Sequence, residues 1–209
     1  MVISKTLLAA MLGAALLLPS AARAQPASAA AKPMELTALD YFQIQQLVAK
    51  YARAIDTCSN NGYDYADLFT ADATMRSLDG VMNARGREAI VEMFHGRFAQ
   101  LGPSLHYTHD QIVTFDDRDP DSAQGLITSH AEVWRIGKAM VAAIRYEDGY
   151  RRDAGKWRFA SRLLKFFYYL PVTEYAEGLG DRMRMRAYAD LRPADWPEGT
   201  PAWENYKGR

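Results

Sequence analysis

Leu105-His-Tyr-Thr-His-Asp-Gln-Ile-Val-Thr-Phe115 is the first of four long segments, followed by Ala123 to Ile136, Met140 to Arg151 and Trp157 to Tyr168. From Pro103 onward the apolar positions recur with the short period of strands. Asp/Pro, Gly-Lys and Asp-Ala-Gly clusters, which favour turns, separate the segments. The four segments therefore read as an antiparallel meander.

Upstream, the period is helical. Thr37-x-x-Asp40 has the form of a capping box, and Ile44, Leu47, Val48, Tyr51 and Ile55 then follow at helical spacing. This predicts an amphipathic helix from Thr37 to about Asp56, stopped by Asn60-Asn61-Gly62. Tyr65, Leu68 and Phe69 predict a short second helix. Thr74 to Ser77 and Val81 to Ala84 flank Asp79-Gly80 as a hairpin, and Gly86 opens a third helix marked by Ile90, Phe94, Arg97 and Leu101. Three helices followed by a strongly curved, mainly antiparallel sheet give an α+β plan, with a pocket between the layers.

The ends read differently. Lys5, a 12-residue apolar run from Leu7 to Leu18, Pro19 and Ala22-Arg23-Ala24 have the form of a secretory signal peptide over residues 1–24. The run is shorter than the roughly 20 apolar residues of a membrane span. Residues 25–36, rich in Ala, Pro and Ser, read as a flexible leader. No other segment is apolar enough to span a bilayer, so the expected location is periplasmic or extracellular. The domain proper is 37–169. In 170–209, Pro171, Pro193, Pro197 and Pro201 alternate with Trp196, Trp203 and Tyr206. They predict an extension outside the sheet that wraps the domain, covers the pocket or meets another subunit.

Composition narrows the chemistry. Among 209 residues, 25 basic side chains balance 25 acidic ones, so no electrostatic signal points to nucleic acid. The single cysteine, Cys58, excludes an intrachain disulfide and a four-cysteine zinc site. The sequence contains no G-x-S-x-G, G-x-G-x-x-G, Walker loop or H-E-x-x-H. Of the four histidines, His95 falls on the third helix and reads as a surface or packing residue. His106 and His109, an odd number of residues apart on one strand, point to opposite faces and are poor co-ligands for a metal. No metal and no organic cofactor is expected.

A catalytic His106 needs a carboxylate from elsewhere, because Asp110, four residues along the strand, is roughly 13 Å away. Asp56 follows the apolar stripe of the first helix by one position and fits that role. It would accept a hydrogen bond from one imidazole nitrogen and leave the other as a base. On spacing alone, the favoured reading is Asp56 as a helix-end or turn carboxylate and His106 as a satisfied core histidine.

Tyr51-Ala-Arg-Ala-Ile-Asp56, Asp67-Leu-Phe-Thr-Ala-Asp-Ala-Thr74, His106-Tyr-Thr-His-Asp110 and Lys156-Trp-Arg-Phe-Ala-Ser-Arg162 resemble the ordered landmarks of the SnoaL-like branch of the nuclear-transport-factor-2-like superfamily. Within it the chain is most similar to scytalone dehydratase and hexachlorocyclohexane dehydrochlorinase, cofactor-free lyases in a cone-shaped α+β barrel. By that resemblance the catalytic aspartate falls on Asp56, the catalytic histidine on His106 and an active-site arginine on Arg162. The chain departs from the pattern in three places. Tyr51 replaces a lysine, Asp110 replaces an asparagine, and His130 stands three residues before the position of a second histidine, which reverses its face. Tyr51, His130 and Asp110 are carried as substrate-binding candidates.

The resemblance implies a cofactor-independent lyase acting on a small hydrophobic, aromatic alcohol, by dehydration or by elimination of formaldehyde from a lignin-derived diarylpropane. It also implies a homo-oligomer, dimer or trimer. The alternatives are a periplasmic binding or assembly protein without turnover and a ketosteroid-isomerase-like isomerase.

Overall fold

The computed structural model describes residues 37–188 and 190–195, together with Ala202, Asn205 and Tyr206. The signal peptide, the leader, Trp196, Pro197, Pro201 and Trp203 lie outside the described residues.

Helix α1 spans Ala38–Thr57. At its start the Asp40 Oδ2 atom accepts the Thr37 backbone N–H (2.8 Å) and hydroxyl (3.0 Å), which satisfies an end the helix itself cannot. The other Asp40 oxygen accepts Trp157 Nε1 at 2.9 Å and Arg152 Nη2 at 2.8 Å, so the capping residue also ties the helix to the sheet. Its stripe Ile44, Leu47, Val48, Tyr51 and Ile55 is buried as the spacing predicts. The helix stops where Cys58, Asn60, Asn61 and Gly62 take positive φ. Glycine is required at 62, where an added Cβ would lie 2.6 Å from the Phe94 ring.

Helix α2 is a single turn, Tyr63–Ala66. Leu68 and Phe69, expected within it, lie beyond its end. Phe159 N–H donates to Leu68 O at 2.9 Å, drawing the chain into strand β1, Phe69–Ser77. The hairpin to β2, Asn83–Arg85, forms with Thr74 opposite Arg85. Helix α3, Arg87–Phe98, follows Gly86 and ends before Leu101. Leu101, expected to mark that helix, instead pairs with Arg135 in the sheet, two residues before a proline that disfavours further helix.

Strands β3 (Leu101–Asp116), β4 (Asp119–Arg135), β5 (Lys138–Asp153) and β6 (Lys156–Pro171) form the meander. The sheet order is β2-β1-β6-β5-β4-β3, antiparallel throughout except for β1 beside β6. Ile136-Gly137 and Ala154-Gly155 make the last two turns with positive φ at both positions, the geometry that suits the twist of a two-residue hairpin. Helix α1 packs on β3 and β6, and α3 on β1, leaving one continuous core between the layers.

Register places the inward residues in rows. One row runs His106, Ala131, Ala142, Tyr169; another, toward the opposite end of the strands, pairs Asp148 with Arg162. The extension does not leave the sheet at Pro171, as expected, because that residue is the last of β6. After a short helix α4, Tyr175–Gly178, the chain returns to β6. There Arg186 N–H donates to Tyr169 O at 2.8 Å and Asp195 N–H to Phe166 O at 2.8 Å. This tail takes the place beside β6 that the short β1 leaves vacant. Among the described residues, no helix is long and apolar enough to cross a membrane.

Candidate active site

Asp56 ends the buried side of α1 and meets the start of β3. Its Oδ1 lies 2.6 Å from His106 Nδ1, and its Oδ2 accepts the His106 backbone N–H at 2.9 Å. Ser104 Oγ adds a third bond to Oδ1, at 3.2 Å. Burial raises the affinity of Asp56 for a proton. The ring and backbone hydrogen bonds of His106, the charge of its ring and the Ser104 hydroxyl more than offset that effect, and hold the carboxyl below its ordinary range. The carboxylate fixes the proton on Nδ1 and leaves the Nε2 lone pair as a base. Ser104 was not picked out from sequence, although strand alternation puts it on the same face as His106, two residues upstream.

The other candidates are dispersed. His130 sits opposite Tyr107, on the face away from His106, with its ring 5.5 Å from that of His109 and 6.4 Å from that of Tyr168. Asp110 is exposed at a bulge between His109 and Ile112, with φ of 47°, so simple alternation no longer carries it to the dyad's face. Among the described residues, no group of three or more His, Cys, Asp or Glu is placed to hold a metal ion. Cys58 is half-buried, and burial pushes its thiol up, away from thiolate chemistry. His95 Nε2 lies 2.7 Å from Asn61 O and ties α3 to the turn after α1.

Tyr51 and Arg162 meet each other rather than His106. The guanidinium of Arg162 lies 3.9 Å from the Tyr51 ring centre, 4.1 Å from that of Phe159 and 4.2 Å from that of Tyr146. It donates two bonds of 2.7 Å to Asp148, and both side chains are fully buried. Along β5, Asp148 is six residues from Ala142, which stands in the His106 row, a separation of roughly 20 Å. Asp148 was absent from the sequence reading, since nothing local marks it as the partner of Arg162.

The SnoaL-like domain profile matches residues 36–163, most of the chain. The chain belongs to the SnoaL-like domain family. No curated protein sequence matches it significantly. Among solved structures, this SnoaL-like chain is similar to a type 2 hexachlorocyclohexane dehydrochlorinase, LinA, at 18% identity and a TM-score of 0.59, covering 64% of this chain and 89% of that one. It is also similar to a provisionally assigned scytalone dehydratase from Novosphingobium aromaticivorans DSM 12444, at 18% identity and a TM-score of 0.61, covering 78% and 95%. A provisionally assigned aromatic ring hydroxylase from Novosphingobium aromaticivorans has 26% identity and a TM-score of 0.60, covering 68% and 99%. The shared property is the curved-sheet fold.

Space in the SnoaL-like barrel is unevenly distributed. A cleft of about 610 Å³ has Asp56 and Ser104 in its wall, with Val133, Trp134 and Met140. Between α1 and α3, a void of about 10 Å³ separates Ile55 and Leu101 from Arg97. Beyond it a second cavity, about 430 Å³, lies under α3 and the returning tail. The arrangement supplies an oriented imidazole base beside an apolar interior, which suits proton abstraction from a weakly acidic carbon or alcohol.

Proposed function

We propose that this SnoaL-like protein is an exported, cofactor-independent lyase acting on a small aromatic alcohol. The observation that carries the reading is the two-point hold of Asp56 on His106, through the ring nitrogen and the backbone N–H of the same residue. A histidine that served only packing has no need of a carboxylate at both positions.

In this reading His106 Nε2 takes a proton from the carbon next to the one bearing the hydroxyl. Asp56 offsets the charge of the imidazolium as it forms. The imidazolium then gives the proton to the departing hydroxyl, so that water and an alkene leave and the dyad is restored. A diarylpropane would follow a related course. Its benzylic hydroxyl leaves as water, the proton being made good from the terminal alcohol through His106; the pair of the carbon-carbon bond that breaks forms the alkene between the two aryl-bearing carbons, and formaldehyde is released. Arg162 holds Asp148 instead of a substrate anion.

The test is turnover of phenolic alcohols and diarylpropanoids by chelator-treated protein, followed by new conjugated absorbance and by released formaldehyde. Product formation that is lost in His106→Ala supports the lyase. A second reading, binding without turnover, draws on the tightness of the interior, whose 10 Å³ void is close to the smallest space that holds one water. Stoichiometric binding of the panel with no product favours that reading. Rearranged product of unchanged mass favours an isomerase.

A further inference from the structure

The 430 Å³ cavity under α3 carries two guanidinium groups and, among the described residues, no acid. Arg97, Gln100, Arg135, Phe166, Tyr169 and Tyr188 contribute to its wall, the rest of which is mainly apolar, and among the described residues no Asp or Glu lines it. Arg135 is engaged by neutral groups, with Nε on Ala187 O at 3.1 Å and Nη2 on Gln100 Oε1 at 2.8 Å. The half-buried side chain of Arg97 makes no hydrogen bond or ion pair with any described residue; its backbone oxygen accepts the Gln100 N–H at 3.0 Å. The groups within its electrostatic reach are the phenols of Tyr188, Tyr51, Tyr169, Tyr65 and Tyr146. Burial holds the last three protonated, so they offer dipoles but no countercharge. The nearby acids are already occupied. Asp79 takes Ser77, Val81 and Arg192, and Asp195 takes the Phe166 backbone N–H.

Three other inward-reaching arginines are paired with acids. Arg152 has Asp40 and Asp121, Arg162 has Asp148, and Arg186 has Glu174 and Asp181. A cation left without a partner against an apolar wall is unfavourable, and a bound anion relieves it. We infer that this cavity is a binding site for an organic carboxylate with an aromatic body, its carboxylate paired with Arg97 and its body against Met93 and Phe166.

The position also gives the ligand a direction. Tyr169 shares its cross-sheet row with His106, and the two residues between them are Ala131 and Ala142. Three strand spacings make that row about 14 Å long, and the alanines keep its floor low. A carboxylate held at Arg97 therefore points the far end of an elongated ligand toward His106. Only this direction rests on the lyase reading; the carboxylate site stands without it.

The experiment is calorimetric titration of cinnamate and of cinnamyl alcohol, its neutral counterpart, into the wild type, Arg97→Gln, Arg97→Lys and His106→Ala. Cinnamate is expected to bind about 10- to 100-fold more tightly than the alcohol. Arg97→Gln removes that preference, Arg97→Lys keeps part of it and His106→Ala keeps all of it. Equal affinity for acid and alcohol in the wild type overturns the site with no variant needed. Unchanged cinnamate affinity in folded Arg97→Gln does the same. Arg97-dependent binding in a protein that turns over no alcohol leaves the site standing and defeats the lyase reading. Turnover without any preference for the acid does the reverse.

Discussion

Asp56 holds His106 by both of its carboxylate oxygens, one on the ring at 2.6 Å and one on the backbone N–H at 2.9 Å. The two contacts have different consequences. The backbone bond fixes the carboxylate against β3, whereas the ring bond selects the tautomer. A carboxamide could preserve much of this geometry, but not the negative charge that favours an imidazolium.

The two residues therefore act as a unit. His106→Ala and Asp56→Asn are each expected to lower turnover of an identified substrate by about 10²- to 10⁴-fold. Combined, they should cost little more than His106→Ala alone, because the carboxylate has no role once the base is gone. Thermal unfolding measured beside the kinetics confirms that the variants are folded. Losses that multiply, or near-native turnover by His106→Ala, sink the dyad and turn attention to Tyr51 or His130 as the base.

The readable part of this molecule is the part encoded locally. The Thr37-Asp40 cap, the stripe from Ile44 to Ile55, and the turns at Gly137 and Gly155 each lie within a few residues, and each appears in the structure. The pairing of Asp56 with His106 was legible because a helix end and a strand start are identifiable positions. Arg162 with Asp148 was not, since their contact depends on the register of β5 against β6, which shifts at two bulges. The same limit applies to Asp110, where a bulge breaks the alternation, and to Arg97, whose distinguishing feature is a missing partner. The extension was misread at Pro171, because proline at a strand end does not prevent a later segment from pairing with that strand.

Acid should weaken the protein through Asp40. Burial alone would raise its pKa, but the Thr37 backbone, Trp157, Arg152 and the Thr37 hydroxyl bring it from 3.8 to about 2. Because the folded value is the lower one, the contribution is complete above the unfolded pKa near 3.8 and is lost as pH falls toward 2. Its size is on the order of 1–2 kcal/mol. Urea denaturation between pH 5 and about pH 2.5 checks this. Asp40→Asn should lower the midpoint at pH 5 and flatten the acid limb; an equally steep limb in the variant assigns the acid sensitivity elsewhere.

Export is the expectation raised by the apolar run Leu7 to Leu18 and the Ala22-Arg23-Ala24 stretch. Protein recovered from its native host should begin at or near Gln25 by N-terminal sequencing. An intact Met1 on cytoplasmic protein contradicts export.

Arg162 is expected to report on stability before it reports on chemistry. Its two bonds to Asp148 are buried, Tyr150 donates a third to the same carboxylate at 2.9 Å, and its Nη1 has no hydrogen-bond partner among the surrounding rings. Arg162→Met therefore leaves Asp148 charged and unpaired, at a cost of about 3–5 kcal/mol. Changing both, Arg162→Met with Asp148→Leu, removes the orphaned charge and should recover a large part of that loss. Denaturant midpoints for the singles and the double measure the coupling. Turnover at a temperature where all variants are folded separates scaffold from site. A folded Arg162→Met with native stability and no turnover returns Arg162 to the active site, because an interaction made only with the substrate leaves the unfolding midpoint untouched.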